Sequence, residues 1–149
     1  RTPFYVFDLL SNHTGSQLVR TDVDCDNSII VHDIRRLPFG INIDKKNHVV
    51  TDAVIDKEIP AIDAVATTDG KMVYLSIINQ SLDEDCQLTL EVPGAAGKAA
   101  RMLELYSDSI LDANTQKKPD LVVPASFSID AGQPIRVKKH SVNVIVLPR

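Results

Sequence analysis

From Gln17 onward the apolar residues of this chain recur at every second position, in short runs divided by turn-forming residues. A strand sends successive side chains to opposite faces, so this period commits the chain to half-buried strands. Val19, Thr21 and Val23 share one face, as do Ile62, Ala64 and Ala66 ahead of Asp69-Gly70. Asp-Gly between alternating apolar runs predicts a hairpin whose two turn residues both take positive φ. The return run, Lys71 to Asn79, puts Val73, Leu75 and Ile77 on one face and Met72, Tyr74 and Ile78 on the other. Apolar side chains on both faces predict a central strand covered from both sides.

Further strands are expected at Cys86 to Val92, Ala99 to Tyr106, Leu121 to Val123, Phe127 to Ile129, Ile135 to Lys138 and Val142 to Leu147. Pro93-Gly94, Asp108 to Asn114, Lys118-Pro119 and Asp130 to Gly132 lie between them as turn formers. Many short strands with such punctuation predict an all-β, antiparallel two-sheet sandwich of jelly-roll type. Residues 25–60 read less clearly, with strands expected at Ile29 to Ile34 and His48 to Ile55 around an irregular Leu37-Pro38-Phe39-Gly40 link. Arg35-Arg36, Lys45-Lys46 and Asp83-Glu84-Asp85 read as solvated loops.

The opening segment has a different period. Thr2-Pro3 is a cap and first-turn pair, and Phe4, Phe7 and Leu10 follow at helical spacing, widened by Val6 and Leu9. Gly15 can take the left-handed conformation that stops a helix. One short amphipathic helix is expected over residues 3–13, too short to persist without a surface to pack on.

The chain has 149 residues, 44% of them hydrophobic, enough for one domain with a real core. A net charge of -4 offers no positive field for phosphate backbones, so nucleic acid is not an expected partner. No apolar run reaches the ~20 residues of a membrane-spanning helix, and no membrane association is expected. Arg1 in place of Met, followed at once by a helix start, reads as a fragment whose native amino terminus lies elsewhere.

Candidate chemistry is sparse. Asp22, Asp24 and Asp26, with Asn27 and Asp33, resemble the spacing of a calcium loop, and Ile30 falls near its hydrophobic position. The flanking segment reads as a strand, and Asp33 is a methylene short of the bidentate Glu such a loop ends on, so acidic residues alternating outward account for the pattern. Cys25 and Cys86 cannot define a disulfide framework and read as reduced apolar fillers. His13, His32, His48 and His140 have no ligand spacing.

Sugar-binding platforms use exposed aromatic rings, and this chain has no Trp; beyond the helix only Phe39, Tyr74, Tyr106 and Phe127 remain, most of them expected in the core. Glycoside hydrolysis needs two carboxyl groups about 5 to 10 Å apart, and Asp56, Glu58 and the other acids sit in no recognisable motif. No Gly-x-Ser-x-Gly elbow supports acyl transfer. Asn79 and Asn114 read as turn and loop anchors. No catalytic, cofactor-binding or metal-binding residue is assigned, and no cofactor.

The order of motifs resembles the carboxy-terminal domain of family-51 glycoside hydrolases. Thr2-Pro3-Phe4-Tyr5, a helix ending Ser11-Asn12-His13-Thr14-Gly15, and the strand beginning at Val19 are similar to the junction where the last helix of a (β/α)8 barrel enters that domain. Pro60 to Ala66 with Leu75 to Ser81 resembles its central hairpin. Asp112-Ala113-Asn114-Thr115, Pro119 and Val122 to Pro124 resemble its Ala-Asn-Thr stretch, and His140 to Leu147 its closing strand.

The resemblance implies residues 1–15 as the remnant of a barrel helix and 16–149 as a β-sandwich domain. It further implies an α-L-arabinofuranosidase, hydrolysing with retention and releasing terminal arabinofuranose from arabinan, arabinoxylan or their oligosaccharides. Its catalytic glutamates would lie on the barrel, outside this chain, leaving the fragment inactive alone. The implied partners are the chain's own barrel and copies of the parent in a homo-oligomer, with sugar bound only through the barrel. A cytoplasmic location is expected, with an extracellular one open. The alternative is an autonomous carbohydrate-binding sandwich module.

Overall fold

A computed structural model of the chain describes residues 2–34, 43–44, 49–50 and 54–149. Helix α1 (Thr2–Leu10) runs into a 3₁₀ turn (Ser11–His13) and is followed by twelve strands among the described residues. They are β1 (Gln17–Val19), β2 (Ser28–Ile34), β3 (Ile43–Asp44), β4 (Val49–Val50), β5 (Val54–Pro60), β6 (Ile62–Thr68), β7 (Met72–Asn79), β8 (Cys86–Leu88), β9 (Ala99–Leu105), β10 (Ala125–Asp130), β11 (Ile135–Val137) and β12 (Ser141–Pro148).

Six strands form one antiparallel sheet in the order β1-β6-β7-β12-β9-β10; β11 pairs β8, β2 pairs β5, and β3 pairs β4. This is the mostly-β, antiparallel sandwich with one short helix that the period-two pattern calls for. Strand β7, read as central, lies between β6 and β12.

Register decides which side chains meet. The pairs Ala66↔Leu75, Leu75↔Ile145 and Ile145↔Met102 put one apolar row on the sheet's inner face. The β8–β11 pair closes over that row with Ile135 opposite Leu88 and Val137 opposite Cys86. Val137, Ile145 and Leu147 are fully buried in the resulting core. The outer face carries Leu103, Leu105, Val142, Val144 and Val146, and α1 packs there with Leu9 and Val122 in a second cluster.

The helix seats Leu9, Tyr5 and Val6 on the sheet, while Phe4 and Phe7 of its apolar stripe face outward. Positions 4, 5, 6, 7, 9 and 10 are all apolar or aromatic, so the helical period alone could not choose the buried side. Strand β1 ends at Val19 instead of reaching Val23, because the Thr21 hydroxyl accepts the Ala66 amide at 3.1 Å beyond the last ladder pair, Val19↔Ala66. The strand expected at Cys86 to Val92 stops at Leu88, although Leu90 and Val92 still pack on the core. Leu121 to Val123 is not a strand: Asn114 Nδ2 donates to the Val122 carbonyl and Asn114 Oδ1 accepts the Val122 amide, each at 2.7 Å.

The β6–β7 turn also differs. Its central residues are Gly70 and Lys71, and only the glycine has positive φ, at 91°. Asp69 sits one position earlier, where its carboxylate accepts the amides of Lys71 at 2.9 Å and Met72 at 2.7 Å. Glycine at the first central position is the other favoured two-residue hairpin. The link Leu37-Pro38-Phe39-Gly40, the patches Arg35-Arg36 and Lys45-Lys46, and His48 lie outside the described residues.

Candidate functional site

The helix-bearing face is the most specific construction in the molecule. Leu9 is buried against Leu105, Val122 and Val144, worth about 2 kcal/mol for one such side chain. At the end of the helix His13 drops onto the sheet: Nδ1 lies 2.8 Å from Thr67 Oγ1 and Nε2 lies 2.6 Å from Ser76 Oγ. Thr67 and Ser76 are both buried, so the imidazole satisfies two hydroxyls that the helix shields from water. Burial holds the His13 pKa below its ordinary value.

A serine hydroxyl beside a histidine is also the opening pair of a nucleophilic triad, but here neither access nor a third partner is present. Ser76 is 2% exposed, and the second ring nitrogen meets a threonine hydroxyl where a triad has a carboxylate. The trio is a latch for α1.

The outward side of the same helix is apolar. Phe4 is 64% and Phe7 74% exposed, and Phe4 meets Tyr5 edge to face at 5.7 Å between centroids. Leu18, opposite Thr67 and therefore on the same face of the sheet, and Val65 are exposed as well. An apolar helix side left open above a seated one is the form of a docking surface.

The inner face ends in a polar layer. Asn79 Nδ2 donates to Glu84 O at 3.0 Å and to Val137 O at 3.3 Å, while its Oδ1 accepts the Ser81 amide at 3.0 Å. Asn79 and Asn114 thus anchor their loops. Buried Asn143 donates to Ser141 Oγ at 2.8 Å. Buried Glu104 receives Lys138 Nζ at 2.9 Å, and that ammonium also stands 4.3 Å over the Tyr106 ring, on which His140 stacks. An open groove of about 530 Å³ runs past Glu104 and Lys138 and is lined by Phe127, 45% exposed, with Met102, Gln133 and Arg136.

The other candidates disperse. Asp22 is exposed and ion-paired with Arg20 at 3.0 Å, and among the described residues no three metal-ligating side chains converge. Glu58 accepts a hydrogen bond from Ser28 Oγ. Tyr74 donates to Asp69 at 3.0 Å, and Tyr106 to Asp108 at 3.0 Å. Phe127 is half open because β10 is the sheet edge. Cys25 and Cys86 are free thiols. Glu104 is the buried carboxylate among the described residues, and Lys138 neutralises it. Sequence reading missed the His13 latch and the Glu104–Lys138 pair, since the partners lie 34 or more positions apart and leave no local signal.

No curated protein matches the sequence. The fold is similar to the α-L-arabinofuranosidase of glycoside hydrolase family 51 from Thermotoga petrophila RKU-1, with TM-score 0.73 and 23% identity over 96% of this chain and 28% of that one. It is similar likewise to an α-L-arabinofuranosidase from Thermotoga maritima, solved with arabinose, with TM-score 0.70 and 21% identity over 98% of this chain and 28% of that one. A family-51 enzyme from Bifidobacterium longum shares 26% identity over 62% of this chain and 19% of its own, at TM-score 0.52. The chain therefore spans just over a quarter of the length of the first two. Over residues 1–141, which hold the helix, its latch and the whole sandwich up to the closing strand, the sequence matches the family described as the α-L-arabinofuranosidase C-terminal domain, and the chain belongs to that family.

Proposed function

We propose that this chain is the accessory domain behind the catalytic (β/α)8 barrel of an α-L-arabinofuranosidase that hydrolyses with retention. Residues 1–15 are the last helix of the barrel, and 16–149 the sandwich that buttresses it. Arabinofuranose is released from arabinan, arabinoxylan and their oligosaccharides by two glutamates on the barrel, and this domain supplies neither. The parent enzyme works in the cytoplasm as a homo-oligomer.

The observation that carries this reading is the two-sided helix: Leu9 and Val6 are seated on the sandwich while Phe4 and Phe7 wait for a second apolar surface. The chain alone is expected to release nothing from 4-nitrophenyl α-L-arabinofuranoside, while the parent enzyme hydrolyses it. In the parent, Phe4→Asp with Phe7→Asp should lower the unfolding temperature of the barrel. Hydrolysis by the isolated chain, or an unchanged barrel, would sink the proposal.

A second reading, an autonomous carbohydrate-binding module, has one observation in its favour: Phe127 stands open in the groove beside Glu104 and Lys138. An aromatic face beside charged hydrogen-bonding groups suits a sugar ring. Retarded migration of the chain in gels containing arabinan, abolished by Phe127→Ala, would favour it.

A further inference from the structure

Cys25 and Cys86 flank, in sequence, the whole run from β2 to β7, yet the fold brings their surroundings together. Both half-buried side chains lean on the inner core cluster, and Cys86 faces Val137 across the β8–β11 pair. Two residues from each cysteine, Asn27 Nδ2 donates to Glu84 Oε2 at 3.4 Å. Behind them, the Ala61 amide donates to Asn27 O at 2.9 Å and the Gln80 amide to Ala61 O at 2.8 Å, stitching the start of β2 to the end of β7. Each thiol donates to a carbonyl of its own segment, Cys25 Sγ to Asn27 O at 3.5 Å and Cys86 Sγ to Gln87 O at 3.8 Å, and Cys25 stands close enough to help burial raise the Cys86 pKa. Beside them, a groove of about 850 Å³ opens between residues 19–24 and residues 88–93, so the segment leading to Cys25 has no ladder holding it to the second layer.

We propose that Cys25 and Cys86 form a reversible disulfide that fastens this segment to β8 under oxidising conditions. The oxidant is a small disulfide such as oxidised glutathione. A protein thiolate attacks one of its sulfurs and expels one glutathione thiol; the second protein thiolate attacks the mixed disulfide and expels the other. The protein loses two hydrogens and two electrons, which leave in two molecules of reduced glutathione. Burial raises the Cys86 thiol above its ordinary pKa, which slows its own attack. A bond closing so long a loop restricts the unfolded chain strongly, and the unfolding temperature should rise by roughly 5 to 15 °C.

The test is to treat the chain with oxidised glutathione, block remaining thiols with N-ethylmaleimide, and measure intact mass, non-reduced peptides and thermal unfolding. The expected product is lighter by two hydrogens, takes up no maleimide, yields one cross-linked peptide containing Cys25 and Cys86, melts higher, and reverts with dithiothreitol. Cys25→Ser and Cys86→Ser should each leave one thiol that takes a single glutathione without the thermal gain. Two alkylated thiols, separate glutathione adducts on the two cysteines, or disulfide-linked dimers from the unsubstituted chain would overturn the proposal. An equal thermal gain in either serine variant would overturn the stabilising role.

Discussion

His13 Nε2 lies 2.6 Å from Ser76 Oγ across 63 positions of sequence, and through this contact the end of helix α1 is fixed to the middle of strand β7. The second ring nitrogen, on Thr67, means that one imidazole serves two adjacent strands.

Replacing His13 by Ala leaves two shielded hydroxyls without a partner, and should cost about 2 to 3 kcal/mol in urea unfolding. Burial lowers the folded-state pKa of His13, so the unfolded chain binds the proton more readily. The associated stability is complete above the unfolded value of about 6.5 and is lost as pH falls toward the folded value. The slope of stability against pH below neutrality should flatten in His13→Gln; an unchanged slope would show that the latch does not titrate.

Glu104 depends on Lys138. Lys138→Met removes the ammonium and leaves a buried carboxylate uncompensated, which should cost about 2 to 4 kcal/mol, because the lysine is partly solvated. The double variant with Glu104→Gln should recover much of that loss, since an amide there carries no charge. A double-mutant cycle of denaturant unfolding measures the coupling, and strict additivity would contradict the pair's role.

Asn114 holds the loop between β9 and β10 by two 2.7 Å bonds to Val122, whose side chain packs beside Leu9. Asn114→Ala should cost about 1 to 3 kcal/mol and open residues 107–124 to limited proteolysis before the sheet unfolds. Cleavage appearing first in the sheet would count against local anchoring.

At the β6–β7 turn, a methyl group on Gly70 would meet nothing within 4 Å, so Gly70→Ala isolates the backbone cost of φ 91°. That cost should be about 1 to 2 kcal/mol, with the strand pairing intact by circular dichroism. Asp69 in the same turn is held below the usual carboxylate pKa, first by the Met72 amide and then by the Lys71 amide. Its contribution is present above about pH 4, the unfolded value, and is lost as pH falls through the folded one. Asp69→Ala should therefore lose stability at neutral pH but not at pH 2.

The parts of the fold legible in sequence are those where one residue's neighbours suffice. The rows Val73, Leu75, Ile77 and Val142 to Leu147 declare strands because alternation is a local property, and the Asn79 and Asn114 anchors each include side-chain bonds to backbone within eight positions. The apolar side of α1, the early end of β1 and the identity of the turn residues at Gly70-Lys71 were not legible, since each is decided by a competitor in space: the outer face of the sheet, the Thr21 hydroxyl, and the register Thr68↔Val73.

By itself, then, the sequence determined an antiparallel β domain led by a helix that cannot stand alone, because strand and helix periods are written in successive residues. Only the tertiary structure decided that His13 meets Ser76 and Thr67, that Lys138 covers Glu104, and that Cys25 and Cys86 lean on one core cluster. Those contacts join residues tens of positions apart, and no local preference of either partner specifies the other until the sheet has set its register.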